Sequence, residues 1–376
     1  MKASLSLIFL IVVLNSVYSQ SGALDSTFGN GGKAITQFAG PLGAYSLKIQ
    51  GDGKIVTAGV ATNNHQYFFA LARHNADGTP DLSFDGDGRV TTSMGVGHEF
   101  ISSLAIQNDG NIVAAGRSTR GDLAGNALTD MALARYNPNG SLDSSFDFDG
   151  KVTTVFGDQT EGNAVAIQND GKIVVAGTSD GRRIAVARYN RNGSLDVSFG
   201  TDGKVLSSIR AFAFGNIMAI QPDGKILVGG TGDNGVKFSF VVLRYNSNGT
   251  LDHSFGVGGV AFTDFGTYSS SGRALGLHSD GKIVLAGYSE TNTLGTLAST
   301  LALAKYNSDG SPDQSVDGDG KLTTQFDLVN GAASVEIQTD GKIIVGGSTY
   351  RNGYADSRLL RYNPNGSLDE TFGYVA

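Results

Sequence analysis

One pattern of apolar and polar positions recurs six times along the chain. It reads IQGDGKIVTAG from 49, IQNDGNIVAAG from 106, IQNDGKIVVAG from 167, IQPDGKILVGG from 220, LHSDGKIVLAG from 277 and IQTDGKIIVGG from 337. Each copy is an apolar run, an Asp-Gly, and a run rich in β-branched residues. Glycine supplies the positive φ that a tight turn needs, so each copy predicts two antiparallel strands joined at the Asp-Gly. Two more runs recur in phase. One is FALARHN, MALARYN, IAVARYN, VVLRYN, LALAKYN and LLRYN; the other is GKAIT, GRVTT, GKVTT, GKVLS, GVAFT and GKLTT. In chain order a unit therefore reads as strand A (GKVTT), strand B (AVAIQ), strand C (KIVVAG) and strand D (AVARYN). These strands are apolar at nearly every position, as expected where a sheet is covered on both faces.

Self-similarity at this period marks a repeat architecture. Four antiparallel strands per unit, repeated six times, predict an all-β six-bladed β-propeller rather than a solenoid, whose coils are shorter. A further motif joins the units: LDSTFG at 24, PDLSFD at 80, LDSSFD at 142, LDVSFG at 195, LDHSFG at 251, PDQSVD at 312 and LDETFG at 368. There are seven of these, and the surplus falls at the two ends. The first and last copies are thus expected to meet where the ring shuts, with seven blades as the alternative count.

Together these motifs make the chain resemble the delta-60 repeat family, whose units of about this length carry Q-x-D-G-K-I, A-R-Y-N and L-D-x-S-F-G in this order. The resemblance runs from residue 24 to 373. Pro80, Pro312, Val316, His278 and His74 depart from the pattern. The resemblance implies a β-propeller and carries no settled activity, substrate or catalytic set.

Composition narrows the setting. The first residues, MKASLSLIFLIVVLNSVYSQ, place a lysine before an apolar stretch and small residues after it, which predicts a signal peptide over 1–19 and a single propeller domain over 20–376. The chain is then expected to be secreted and extracellular, with no membrane span in the mature part and as a monomer. It has no cysteine, which excludes disulfides and thiolate chemistry, so its stability must come from core size and topology. A net charge of −7 disfavours the phosphate backbone, and nucleic acid is not an expected partner.

Candidate chemistry and turn geometry draw on the same residues. Arg73, Arg135, Arg188, Arg244, Lys305 and Arg361 are each followed eight residues later by Asp81, Asp143, Asp196, Asp252, Asp313 and Asp369, which predicts one ion-paired brace per unit. Asp25 lacks such an upstream cation and is expected to find a partner across the ring closure. Asp85 with Asp87, Asp147 with Asp149, and Asp317 with Asp319 are calcium candidates, although each pair is also an ordinary Asp-Gly turn. Asn139, Asn192, Asn248 and Asn365 stand in the N-glycosylation pattern. Only His65 and His98 of the five histidines fall in irregular loops, no zinc-ligand spacing occurs, and no catalytic set is assigned. Arg120-Gly121-Asp122 is an integrin-type tripeptide that chance accounts for.

Strand direction alternates, so the A–B and C–D loops share one face and the Asp-Gly and LDxSFG turns share the other. The first set varies in length and sequence, and varied loops on a rigid scaffold are the usual place for recognition. The functional expectation is a binding or scaffold module for an extracellular protein or glycan. A metal-dependent hydrolase or lactonase-like enzyme at the central channel, and a structural surface or matrix protein, are the alternatives.

Overall fold

The computed structural model describes residues 24–38, 43–63, 66–95, 97–120, 127–266, 268–293, 296–325, 329–351 and 354–373. The expected signal peptide, His65, and Gly121 and Asp122 of the tripeptide lie outside the described residues.

Among the described residues, twenty-three strands form six antiparallel sheets. The first sheet holds β1 (Gly43–Ile49), β2 (Ile55–Asn63), β3 (Gln66–His74) and β4 (Arg89–Thr92), and the second β5 (Glu99–Ile106), β6 (Ile112–Arg120), β7 (Leu128–Tyr136) and β8 (Lys151–Thr154). The third holds β9 (Thr160–Ile167), β10 (Ile173–Ser179), β11 (Arg183–Tyr189) and β12 (Lys204–Ser208), and the fourth β13 (Ala213–Ile220), β14 (Ile226–Asp233), β15 (Phe238–Tyr245) and β16 (Val260–Thr263). The fifth holds β17 (Ser269–Leu277), β18 (Ile283–Thr293), β19 (Thr296–Tyr306) and β20 (Lys321–Thr324). The sixth holds three strands, β21 (Val329–Ile337), β22 (Ile343–Arg351) and β23 (Tyr354–Tyr362). This is the six-bladed all-β architecture that the repeats predict.

The phase of the unit differs from the expectation. The run GRVTT, GKVTT and its kin closes the sheet before it: β4 pairs with β3 through Ala72↔Arg89, and β8 pairs with β7 through Ala134↔Lys151. The LDxSFG segment is the reason, because it folds the chain straight back along the third strand. Asp81 N–H donates to the Arg73 carbonyl at 3.0 Å, and Arg73 N–H donates to the Gly88 carbonyl at 2.9 Å. Each of the first five sheets is therefore B–C–D–A, and the A–B loop is the step between neighbouring sheets.

Apolar faces pack sheet against sheet. Leu71 of the first sheet shares an apolar cluster with Leu104 of the second, Leu133 with Val165, Val186 with Met218, Val242 with Leu275, and Leu303 with Val335. A tyrosine from the D strand of each of the second to sixth sheets reaches back to the outer strand of the preceding sheet: Tyr136 to Thr92 at 2.8 Å, Tyr189 to Thr154 at 2.7 Å, Tyr245 to Ser207 at 2.9 Å, Tyr306 to Thr263 at 2.6 Å and Tyr362 to Thr324 at 2.8 Å. Burial pushes these phenols well above their ordinary range, so they act as neutral hydrogen-bonding groups. The recurrent ARYN and the last Thr or Ser of GKVTT are thus one contact written on two strands.

The brace is present in all six sheets. Arg73 Nε lies 2.6 Å from Asp81, Arg135 2.7 Å from Asp143, Arg188 2.7 Å from Asp196, Arg244 2.8 Å from Asp252, Lys305 Nζ 3.2 Å from Asp313 and Arg361 2.7 Å from Asp369. A second cation joins it from the Asp-Gly-Lys hairpin. Lys54, Lys172, Lys225, Lys282 and Lys342 lie 2.8–3.1 Å from the same carboxylates, whereas the second sheet has Asn111 at that position. Burial opposes ionisation of Asp81, Asp196, Asp252 and Asp313. Hydrogen bonds from the Ser two residues on and from the two cations outweigh it and hold these carboxyls far below the usual range.

Candidate functional site

Each inner strand slips register by one residue against its neighbour, at the same place in every sheet. The slip lies between Ala44 and Ser46, Ile101 and Ser103, Gly162 and Ala164, Gly215 and Ile217, Gly272 and Ala274, and Ala332 and Ser334. A bulge leaves one residue unpaired and re-aims its side chain. The six extra residues are Tyr45, Ser102, Asn163, Asn216, Arg273 and Ala333. All six line one cavity of about 790 Å³ where the inner strands of the six sheets converge.

The glycine that ends KIVVAG makes the bulge possible. Gly177 sits on β10 opposite the slip, and a Cβ there would overlap the carbonyl oxygen of Glu161; Gly59, Gly116, Gly230, Gly287 and Gly347 stand against equivalent carbonyls. Glycine in a strand interior is the residue that lets two backbones come this close. The most monotonous letter of the repeat thus fixes the position of the most varied one.

The cavity opens on the face of the A–B and C–D loops, since its lining comes from the starts of inner strands and the ends of second strands. Phe100, Arg117, Gln159, Glu161, Thr178 and Phe214 complete the wall around the bulge residues. Arg117 stacks on Phe100, 4.5 Å from its centroid, and pairs with Glu161 of the next sheet. Arg273 is exposed and lies 5.2 Å from the Tyr288 centroid. A neighbouring groove of about 280 Å³ shares Phe214, Asn216 and Arg273 and continues along Thr231, Phe238 and Tyr288. Asn163 Nδ2 donates to the Gly215 carbonyl at 2.9 Å and Asn216 Nδ2 to the Gly272 carbonyl at 2.8 Å, so two of the bulge residues also tie adjacent sheets together. Beside the mouth, Glu99 is fully buried and accepts the Met94 N–H at 3.2 Å; burial raises its carboxyl to about 7.

The residues singled out in the sequence lie elsewhere. Asp85, Asp147 and Asp317 occupy left-handed turn positions at φ 51°, 46° and 47°. Asp87, Asp149 and Asp319 cap the backbone N–H two residues on and face the cations Arg89 at 2.7 Å, Lys151 at 3.4 Å and Lys321 at 3.7 Å. A carboxylate already shared in this way is a poor calcium donor, and no group of three or more His, Asp or Glu that could hold a metal occurs among the described residues. Asn139, Asn192, Asn248 and Asn365 are exposed at equivalent turns, and each Oδ1 accepts the N–H and hydroxyl of the Ser or Thr two residues on. Asp77 and Asp309 do the same at their own turns. His98 packs edge-on to Tyr67 at 4.8 Å, and His74 bonds Thr36 at 2.9 Å. Asp25 corrects an expectation. Its carboxylate accepts the Thr27 N–H at 2.9 Å and hydroxyl at 2.6 Å, and no cation joins it among the described residues.

The family profile described as "Domain of unknown function (DUF5122) beta-propeller" matches residues 50–84, 107–146, 168–199, 221–255, 278–315 and 338–372, one segment per sheet. The chain belongs to this β-propeller family. No curated protein matches it. Among solved structures it is similar in fold to polysaccharide lyase Uly1, with TM-score 0.44, 11% identity and coverage of 90% of this chain and 89% of the other. It is similar to Sqt1 of Chaetomium thermophilum bound to the N-terminus of the ribosomal protein L10, with TM-score 0.43, 12% identity and 86% of each chain covered. It is also similar to the gluconolactonase XC5397 of Xanthomonas campestris, with TM-score 0.38, 12% identity and coverage of 88% and 87%.

Proposed function

We propose that this chain is a secreted binding module that seats an extracellular glycan in the channel mouth. One observation carries the reading. The six bulge positions share their backbone geometry and face one cavity, yet they hold six side chains of five kinds, Tyr, Ser, Asn, Asn, Arg and Ala. Geometry demands an unpaired residue there but not its identity, so the variety belongs to what the cavity holds.

The chemistry of the wall suits a sugar. Sugar rings have apolar C–H faces and a rim of hydroxyls. Tyr45, Phe100 and Phe214 offer flat apolar surface, while Asn163, Asn216, Gln159, Arg117, Glu161 and Arg273 offer donors and acceptors around it. Hydrolysis fits the wall less well. Acid–base cleavage of a glycoside uses two carboxylates, and among the residues lining this cavity Glu161 is the one carboxylate, already paired with Arg117.

Titration calorimetry against a panel of neutral and acidic oligosaccharides tests this. Saturable binding is expected, weakened by about 10-fold or more in Arg273→Ala and Tyr45→Ala, and unchanged in Asp149→Asn on the opposite face. Absence of binding to every glycan, or binding that ignores both channel substitutions, overturns it.

A further inference from the structure

Most cations of this chain already face a carboxylate. The braces take one or two each, and outside them Arg89 holds Asp87, Arg117 holds Glu161 and Arg183 holds Asp180. Three exposed arginines on the loop face differ. Arg182 in the turn between β10 and β11, Arg210 in the loop between β12 and β13, and Arg273 at the bulge of β17 make no ion pair among the described residues. In a chain of net charge −7 a local group of unmatched cations is not what composition alone would leave.

Aromatic rings connect two of these arginines. Arg182 lies 5.9 Å from the Phe212 centroid, Phe212 meets Phe238 edge-on at 5.9 Å, and Phe238 meets Phe214 at 6.2 Å. Phe214, Phe238, Tyr288 and Arg273 line the groove of about 280 Å³, and Phe214 and Arg273 line the channel cavity as well. One surface therefore runs from the cavity outward over the fourth and fifth sheets, with the rings of Phe212 and Phe238 exposed along it. Arg210 borders the same loops. It sits at φ 52°, where a glycine would fit without strain, and its guanidinium lies against the Gly235 backbone. Turn geometry does not ask for an arginine there, and an outlier of this kind is a reason to look for a ligand.

We propose that this groove holds the anionic groups, carboxylate or sulfate, of an acidic glycan whose chain continues out of the channel cavity. The proposal rests on the glycan reading above and names the class of sugar. A guanidinium offers two parallel N–H donors to a carboxylate or sulfate, while the rings beside it cover the apolar C–H faces of the sugars. Glu161, Asp180 and Asp264 on this side are already held by Arg117, Arg183 and Lys237, which reduces their repulsion of an incoming anion. Glu290 has no cation among the described residues and accepts the hydroxyl of Ser269, a groove residue, at 2.6 Å. It marks where the anionic path ends.

Titration calorimetry on the full chain tests this with hexasaccharides of galacturonan, mannuronan and sulfated galactan, each beside its methyl-esterified or desulfated form. At least one charged form is expected to bind about 10-fold or more tightly than its neutral twin, with affinity falling as salt rises. The uronates against the sulfated galactan distinguish carboxylate from sulfate. Arg182→Ala, outside the cavity, is expected to weaken the charged form about 5-fold and leave the neutral form unchanged, and Arg191→Ala on the opposite face to change neither. Equal affinity for charged and neutral forms overturns the proposal while the glycan reading stands. Absence of binding to every hexasaccharide overturns both. A preference for charge that Arg182→Ala leaves intact, in a variant of unchanged Tm, overturns the groove as its source.

Discussion

The two faces of this propeller obey opposite rules. On the turn face, every sheet repeats one brace of Asp, Arg or Lys, and usually a second Lys, and every D–A hairpin folds in the same way. On the loop face, a bulge repeats in backbone only, and its six side chains are of five kinds. The contrast shows how a repeat protein separates holding from recognising. Residues that must satisfy each other locally cannot vary, and a residue that points into shared space can.

The comparison breaks most visibly at the brace. Arg188→Ala leaves the Asp196 carboxylate buried beside Lys172 alone and removes a donor to the Ser247 carbonyl of the next sheet. A loss of about 3–5 kcal/mol in chemical denaturation is expected, with any ligand affinity of the folded protein unchanged. Next comes Gly177→Ala, which sets a methyl group against the Glu161 carbonyl and forces the bulge of Asn163 to move. It is expected to cost about 1–3 kcal/mol and also to weaken glycan binding, so it couples stability to recognition within the loop face. The smallest effect sharpens the rule. Asn111→Lys gives the second sheet the second cation that the other five braces have, and a gain of up to about 1 kcal/mol is expected in the same assay, concentrated at low salt.

Most of the scaffold could be read from the letters, because its contacts are short in sequence. The hairpins at Asp-Gly, the eight-residue offset of Arg73 and Asp81, and the six-fold count all appear as local periodicity, and the structure has each of them. The phase of the outer strand did not appear in the same way. Whether GKVTT opens a sheet or closes one depends on which strand lies beside it, and both neighbours offer an equally apolar edge. The channel residues are hidden in the sequence for a different reason: aspartates, asparagines and histidines stand out in turns, whereas Tyr45, Asn163 and Arg273 stand inside strands. A signal was nonetheless present, since an isolated glycine within a strand pattern marks a bulge or a close backbone approach.

The amino-acid sequence by itself determined the strands, their number, the turn chemistry and the brace, since hairpin geometry and a fixed ion-pair offset need no information beyond the unit. Only the tertiary structure decided which residues meet in the channel and which sheet each outer strand completes. Tyr45 and Arg273 are more than two hundred residues apart and become neighbours because six sheets turn their inner strands toward one space, a property of how the units are arranged rather than of any unit alone.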